Sequence, residues 1–122
     1  MNIKNLIPKD KFDIETAEKL KEHSFEEIKP IIPELLQWLQ DLNWPVSKPI
    51  AEILIPFSEN IALEILQILR GEDEMWKYWI ILVFGEISKN QLVLNEIKRI
   101  SKNPTTGEIE SETHKIAKQI MK

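Results

Sequence analysis

Apolar residues recur at intervals of three and four along most of this 122-residue chain, as they do on one face of an α-helix. The segment from 61 to 69 follows this spacing, and so does a later segment with Val93, Ile97 and Ile100. Signals for β-hairpins are scarce, because the chain has only three glycines and contains no Asn-Gly or Asp-Gly dipeptide. The pattern therefore predicts an all-α protein.

Residues that cap helix N-termini divide this pattern into about six or seven helices. Asp13 is expected to cap the first helix, and Ser24 with Glu27 has the spacing of a capping box. Ser47 and Ser88 are expected to cap later helices. The predicted helices cover residues 13–22, 33–42, 47–55, 58–70, 72–87, 89–102 and 109–121, with a single turn at 25–30.

The stretch GEDEMWKYWIILVF, residues 71–84, has apolar side chains on every side of its predicted helix. Such a helix is expected to lie buried at the centre of a protein, with Trp79 in the core. The letters WIILVF could also form a buried strand, but the helices predicted on both sides favour a helix. The longest apolar run, Tyr78 to Phe84, is far shorter than the roughly 20 residues that span a bilayer.

The balance of charge disfavours nucleic-acid and anionic membrane partners. The chain has 16 basic and 20 acidic residues, a net charge of −4, and no strongly basic segment. It has no cysteine, which rules out a disulfide framework and a thiol nucleophile and fits a reducing compartment. The first residues lack the long apolar core of a signal peptide. We therefore expect a cytoplasmic protein.

The sequence repeats weakly at an interval of about 30 residues. The segment PELLQWLQDLNWPV resembles ALEILQILRGEDEMWKYW, with Leu36 and Leu66 separated by 30 residues and Trp44 and Trp76 by 32. A third copy places Ile97 another 31 residues after Leu66. Helix-pair repeats of roughly this length are typical of α-solenoids, in which each pair buries its apolar face against the next. The repeat predicts a short α-solenoid.

Four blocks of the sequence, LIPKDKFD, ELLQWLQDLNWPV, LRGEDEMWKYW and NPTTGE, resemble an uncharacterised bacterial family, domain of unknown function 5071. The resemblance extends from Leu6 to about Ile120. It implies a HEAT-like fold, and it implies neither an activity nor a catalytic residue. Together with the repeat, it predicts one HEAT-like domain over residues 1–122, in which residues 1–12 can form an extended arm.

Residue patterns that would indicate catalysis are missing from the sequence. His23 and His114 are its only histidines, and neither has the partners of a metal-binding motif. The chain also lacks a glycine-rich phosphate loop and the GxSxG sequence of a nucleophile elbow. We therefore expect no catalytic, metal-binding or cofactor-binding residues.

Polar and aromatic residues lie at the turns of the first and second repeats, which stacked repeats would bring to one edge. Tryptophan beside polar groups is typical of protein-binding hot spots. The structural alternative is that the tryptophans pack the repeat corners and that the acids favour the helix macrodipole. The partner-binding candidates are Asp41, Asn43, Trp44, Asp73, Trp76 and Lys77.

These observations favour a non-catalytic module that binds another protein through its repeat surface. One version is an acidic inhibitor or immunity-type partner of a basic protein. A first alternative is a small metal-dependent enzyme that uses the edge with Asp41 and Asp73. A second alternative is a structural module that self-associates through the terminal helix, residues 109–121. The sequence leaves the partner and the oligomeric state open.

Overall fold

The computed structural model describes residues 2–121, and over this range the chain forms α-helices and short 3-10 helices without any strand. The prediction of an all-α protein is therefore confirmed. No helix within these residues has the length and apolar character needed to cross a bilayer. The chain divides between Phe57 and Ser58 into two compact units, called here the N-terminal and C-terminal units. The expectation of one domain over residues 1–122, whose first and last residues lie outside the described range, stays a prediction.

The N-terminal unit consists of short helices joined by tight turns. Two of the predicted caps are formed: the Asp13 carboxylate accepts a hydrogen bond from the Thr16 N–H at 3.2 Å, and Ser24 and Glu27 form a capping box. The α-helices are α1 (Ile14–Lys19), α2 (Phe25–Ile28), α3 (Ile32–Gln37) and α4 (Ser47–Leu54), and the 3-10 helices are Ile3–Leu6, Leu20–Glu22, Lys29–Ile31 and Ile55–Phe57.

The segment before α1 packs against the rest of its unit. The sequence had suggested that residues 1–12 can form an extended arm. Ile3–Leu6 form a 3-10 helix, and the side chains of Leu6 and Pro8 are buried. The Val46 N–H donates a hydrogen bond of 3.0 Å to the carbonyl oxygen of Lys11. Residue 1 of the expected arm lies outside the described residues.

The prediction that Ser47 caps α4 is wrong. Ser47 is the first residue of α4, and its buried hydroxyl donates to the carbonyl oxygens of Trp38 and Asp41 instead. These carbonyls lie in the turn that follows α3, where helical hydrogen bonds no longer satisfy them. Because α3 already ends at Gln37, the turn is longer than the sequence pattern indicated, and the Ser47 hydroxyl bonds to its carbonyls.

Over residues 58–121, the described part of the C-terminal unit, the chain forms five α-helices. The helices α5 (Ala62–Leu69) and α6 (Glu74–Phe84) pack against each other, and α7 (Gln91–Lys102) packs against α5. A short helix, α8 (Thr106–Glu110), leads into α9 (Thr113–Ile120), which packs against α6 and α7. The apolar core includes Ile65, Leu69, Ile80, Ile81, Phe84, Val93, Ile97, Ile100 and Ala117.

Where the N-cap of a helix in this unit is not the predicted residue, the helix also begins at a different position. Asn90 caps α7, because its side chain accepts hydrogen bonds from the N–H groups of Leu92 and Val93. Ser88, the expected cap, accepts a hydrogen bond from the Asn90 N–H at 3.3 Å. The helix expected from residue 58 starts only at Ala62, as α5.

The terminal helix predicted over residues 109–121 is two helices. The chain breaks between α8 and α9 at Glu112, whose φ of 64° lies in the left-handed region. The first of them, α8, begins before residue 109, because Thr105 and Glu108 form a capping box at its start. The buried residues Ile116 and Ala117 lie on α9, so its apolar face is covered inside the unit.

Gly85 marks a close approach at the end of α6. A Cβ atom at this position would lie 2.6 Å from the carbonyl oxygen of Ile81 and 3.1 Å from the Cγ1 atom of Ile120 in α9. The φ of Gly85 is −59°, so space rather than backbone conformation requires glycine here.

We predict that Gly85→Ala lowers the free energy of unfolding by about 1–3 kcal/mol, since the backbone oxygen cannot move away cheaply. Chemical denaturation of the purified protein measures this change. Gly71→Ala is the control, because its Cβ would come no closer than 3.3 Å to another atom. Equal stability of Gly85→Ala and the wild type would contradict the packing described here.

Candidate functional site

The six partner-binding candidates are divided between the two units. Asp41, Asn43 and Trp44 lie in the N-terminal unit, after α3, and the other three lie in the C-terminal unit, at the start of α6. Each group is therefore described within its own unit. The expectation that the two groups share one edge stays a prediction.

The N-terminal group builds the turn between α3 and α4. The Asp41 carboxylate accepts a hydrogen bond from the Asn43 N–H at 2.9 Å, and its carbonyl accepts one from the Trp44 N–H at 3.1 Å. The Trp44 ring meets Trp38 edge-on, with centroids 5.7 Å apart. Asn43 is exposed and Trp44 is partly exposed. These contacts give Asp41 and Trp44 a structural role at this corner.

The C-terminal group begins with the cap of α6. The Asp73 carboxylate accepts a hydrogen bond from the Trp76 N–H at 3.1 Å, which satisfies one of the unpaired N–H groups at a helix start. Asp73 is exposed to solvent, and Trp76 is partly exposed. Asp73 thus serves α6 both as a hydrogen-bonded cap and as a negative charge near its N-terminus.

Lys77 lies inside the unit, although the sequence suggested contact with a partner. It is only 3% exposed, and its ammonium lies 2.8 Å from the Glu74 carboxylate and 3.0 Å from the Glu108 carboxylate. All three groups belong to the same unit. The Lys77 charge is therefore engaged within its own chain rather than presented to solvent.

Glu108 is the centre of a buried charge cluster that also contains Glu74, Lys77, Glu96 and Arg99. Glu108 is 0% exposed, and its two carboxylate oxygens accept from the Arg99 guanidinium at 3.0 and 2.7 Å. Lys77 and the N–H of Thr105 donate to the same carboxylate, and Arg99 also donates to Glu96. The cluster joins the start of α6, the end of α7 and the start of α8.

The hydrogen bonds of the cluster decide its protonation. Burial would raise the pKa of Glu108, but the hydrogen bonds from Arg99, Thr105 and Lys77 outweigh burial and lower the pKa from 4.5 to about 2. Hydrogen bonding to Glu108 raises the pKa of Arg99. Burial would lower the pKa of Lys77, but its bonds to Glu74 and Glu108 raise it overall. All three groups therefore carry their charges near neutral pH.

Gly107 allows the Glu74 carboxylate to fit against α8. A Cβ atom on Gly107 would lie 3.1 Å from the carboxyl carbon of Glu74, so a larger residue would push this side chain away. One Glu74 oxygen pairs with Lys77, while the other is buried without a hydrogen-bond partner. The close approach of α8 thus holds the Glu74 side chain in position. One buried oxygen of its carboxylate then has no hydrogen-bond partner, which is unfavourable.

An open cleft of about 420 Å³ borders the cluster. Its lining includes Arg70, Glu72, Glu74, Arg99 and Glu108. Glu108 is ionised, buried and hydrogen-bonded to several donors, so it is a poor candidate for a general base. This geometry gives the cluster a structural role.

A metal centre was the basis of the enzyme alternative, which needed at least three converging ligands. Among residues 2–121, no group of three or more histidine, aspartate or glutamate side chains is arranged to hold a metal ion. His114 instead lies 3.2 Å from the carbonyl oxygen of Glu108, and His23 lies 3.4 Å from the Glu27 carboxylate. The enzyme alternative stays a prediction.

One face of α6 carries a stripe of apolar and aromatic side chains that are exposed or partly exposed. We define the outer face of α6 as Met75, Tyr78, Trp79 and Leu82, which follow the i, i+3, i+4, i+7 spacing of one helical stripe. Met75 is 46% and Leu82 is 43% exposed, and the two aromatic residues between them are partly exposed. The rings of Tyr78 and Trp79 meet edge-on at 5.0 Å.

The predictions that α6 is buried on all sides and that Trp79 lies in the core are wrong. The buried residues of α6 are Lys77, Ile80, Ile81 and Phe84, which follow the same spacing on the opposite face. Neighbouring helices of the unit, α5 and α9, pack against α6. A helix with two apolar stripes cannot be oriented from the sequence pattern alone, since either stripe could be the buried one.

We predict that the stability of the protein falls steeply between pH 4.5 and pH 2. The pKa of Glu108 is depressed in the folded state, so its contribution is complete above the ordinary value of 4.5 and is lost as pH falls towards 2. The expected loss in free energy of unfolding is about 3 kcal/mol. Urea denaturation at a series of pH values measures it.

Two variants isolate this effect. Glu108→Gln should be destabilised by about 3–5 kcal/mol at neutral pH, because Arg99 and Lys77 lose their buried counter-ion, and its pH slope should flatten. Glu110→Gln, an exposed position on the same helix, should keep the wild-type slope. If Glu108→Gln does not fold, the prediction can still be tested on the other two proteins. The stability of the wild type and that of Glu110→Gln should then fall equally steeply as the pH is lowered.

Comparison with known proteins identifies one family. A family model described as a domain of unknown function (DUF5071) matches residues 6–121. The matched range begins at Leu6 in the first 3-10 helix and ends at Met121 after α9, so it takes in both units. No curated protein matches the chain.

Proposed function

We propose that this chain, which belongs to the DUF5071 family, is a non-catalytic module that binds another protein through the outer face of α6. The observation that carries the proposal is the exposure of Met75 and Leu82 on the same stripe as Tyr78 and Trp79. Single exposed apolar residues are ordinary, but a contiguous apolar stripe marks an interaction surface.

The residue types on this stripe suit a protein partner. Tryptophan, tyrosine and methionine are enriched in interface cores, and tryptophan and tyrosine supply many binding hot spots. The edge-on contact of Tyr78 with Trp79 limits the freedom of both rings before binding. A surface ordered in advance loses less side-chain entropy when a partner arrives.

Exposed acids near the stripe indicate the charge of the partner. Glu72 and Asp73 precede α6, and Glu86 follows it, and all three are exposed. The chain as a whole has a net charge of −4. A basic partner would be attracted by both features, which favours the role of an acidic inhibitor or immunity-type protein. In the N-terminal unit, Asn43 and Trp44 remain candidates for further contacts.

We also propose that the fold is a HEAT-like α-solenoid of a bacterial cytoplasmic protein. Within the C-terminal unit α5 packs against α7 and α6 packs against α9, as expected when consecutive helix pairs stack. A chain without cysteine suits a reducing compartment. Self-association through α9 is less favoured, because its apolar face is already covered inside the unit.

We predict that Leu82→Glu weakens partner binding and leaves the fold intact. The position is exposed, so the change should alter stability by only about half a kcal/mol. A charge at the C-terminal end of the stripe would have to be desolvated on binding, which should weaken affinity by at least about tenfold. The measurement is capture of partners from extract of the source organism, followed by binding of the purified partner.

Leu63→Glu is the matched control for this experiment. Leu63 is 63% exposed on α5 and undergoes the same chemical change on a different helix. A partner retained by the wild type and Leu63→Glu, and lost by Leu82→Glu, supports the proposal. A partner retained equally by all three, or the lack of any partner, counts against it.

A further inference from the structure

We infer that the segment of the partner that lies on the outer face of α6 is an amphipathic α-helix with basic residues near both of its ends. This inference rests on the proposed function and names the partner of the same surface. Three features of the C-terminal unit carry it: the shape of the apolar stripe, the hydrogen bonding of its backbone and the position of the exposed acids.

The stripe has the dimensions of a helix–helix contact. From Met75 to Leu82 it spans about 10 Å along α6, and Glu86 follows two residues after the last residue of this helix. The exposed side chains form two short rows of i, i+4 spacing, Met75 with Trp79 and Tyr78 with Leu82. Such rows are ridges that fit the grooves between the ridges of another helix. A flat or globular partner surface would use a broader patch.

The backbone of the unit makes addition of a strand unfavourable. The N–H and C=O groups of α6 are occupied within the helix, apart from those at its ends. Residues 2–121 contain no strand, so this range offers no sheet edge that an extended peptide could join. Recognition at this surface therefore depends on side chains, which is how an amphipathic helix binds to an apolar surface.

The exposed acids lie beyond both ends of the apolar row. Asp73 and Glu86 are 13 residues apart, which corresponds to about 20 Å along a helix. Because Lys77 is buried with Glu74 and Glu108, its charge is not directed at the exposed acids near the ends of the stripe. A partner helix of about 13 residues or more, with lysine or arginine near each end, would place its cations opposite these acids.

Two exposed cations lie close to these ends in the sequence. Arg70 precedes Glu72, and its guanidinium lies 3.7 Å from the Glu96 carboxylate. Lys89 follows Glu86 by three residues, after the chain has left α6. Glu72 and Asp73 together therefore make the N-terminal end the more acidic one. The partner should carry its denser basic charge at the end that faces Asp73.

Selection of peptides on the immobilised protein tests the inference. A display library of random 15-residue peptides is selected on the wild type and counter-selected on Leu82→Glu. We expect the enriched peptides to share apolar residues at i, i+3 or i+4 and i+7, with lysine or arginine near both ends. Their circular dichroism should become helical when the protein is added.

Charge reversal then tests the role of the acids. The double variant Glu72→Lys, Glu86→Lys should weaken binding of the enriched peptides by at least about fivefold and reduce the dependence of affinity on salt. Glu110→Lys, which changes an exposed acid on α8, should bind the same peptides like the wild type. Asp73 is left unchanged because it caps α6. Equal affinity of the double variant would overturn the basic character of the partner.

The remaining outcomes separate this inference from the proposed function. If selection enriches extended or acidic peptides, or none, the inference of a basic helix is overturned. Protein binding still stands in that case if a purified partner is lost on Leu82→Glu. If sedimentation shows that the wild type dimerises and Leu82→Glu does not, the occupant is a second copy of the chain. If neither peptides nor a partner depend on Leu82, both proposals fail.

Discussion

The C-terminal unit depends on the carboxylate of Glu108, which is fully buried and bound by Arg99, Lys77 and the N–H of Thr105. A buried ion pair need not make a protein more stable than an apolar core would, but removal of one partner leaves an uncompensated charge. The main effect of this cluster is therefore to position the helices that carry its charges. It ties α8 to α6 through Lys77 and to α7 through Arg99.

This charged contact also orients α6. The helix has an apolar stripe on each of two opposite faces, and hydrophobicity alone would allow either of them to point inward. Lys77 lies on the face with Ile80 and Phe84 and must reach Glu108, so that face is the inner one. The outer face is then left with Trp79 and its apolar neighbours near solvent. A buried charge thus determines which hydrophobic surface the protein presents.

Local signals in the sequence predicted much of the fold. The spacing of apolar residues gave the helical class, and side chains next to helix starts identified Asp13 and Ser24 as caps. What could not be predicted depends on distant contacts. Lys77 and Glu108 are 31 residues apart, and no local pattern pairs them. Ser47 was misread because the carbonyls that it satisfies lie in a turn whose length depends on where α3 ends. Acidic residues near α6 were identified, but the exposed stripe beside them was not.

The separation of Lys77 from Glu108 along the chain has a consequence for the order of events during protein synthesis. Lys77 leaves the ribosome with Glu74 but before Glu108, the second of its two counter-ions, and Arg99 also precedes Glu108. Until α8 emerges, the inner face of α6 would bury a cation without this partner, so it cannot close over its core at full stability. Both apolar stripes of α6 are then accessible in the nascent chain. Completion of this unit is therefore a late step, which needs both Glu108 and the helix α9 that follows it.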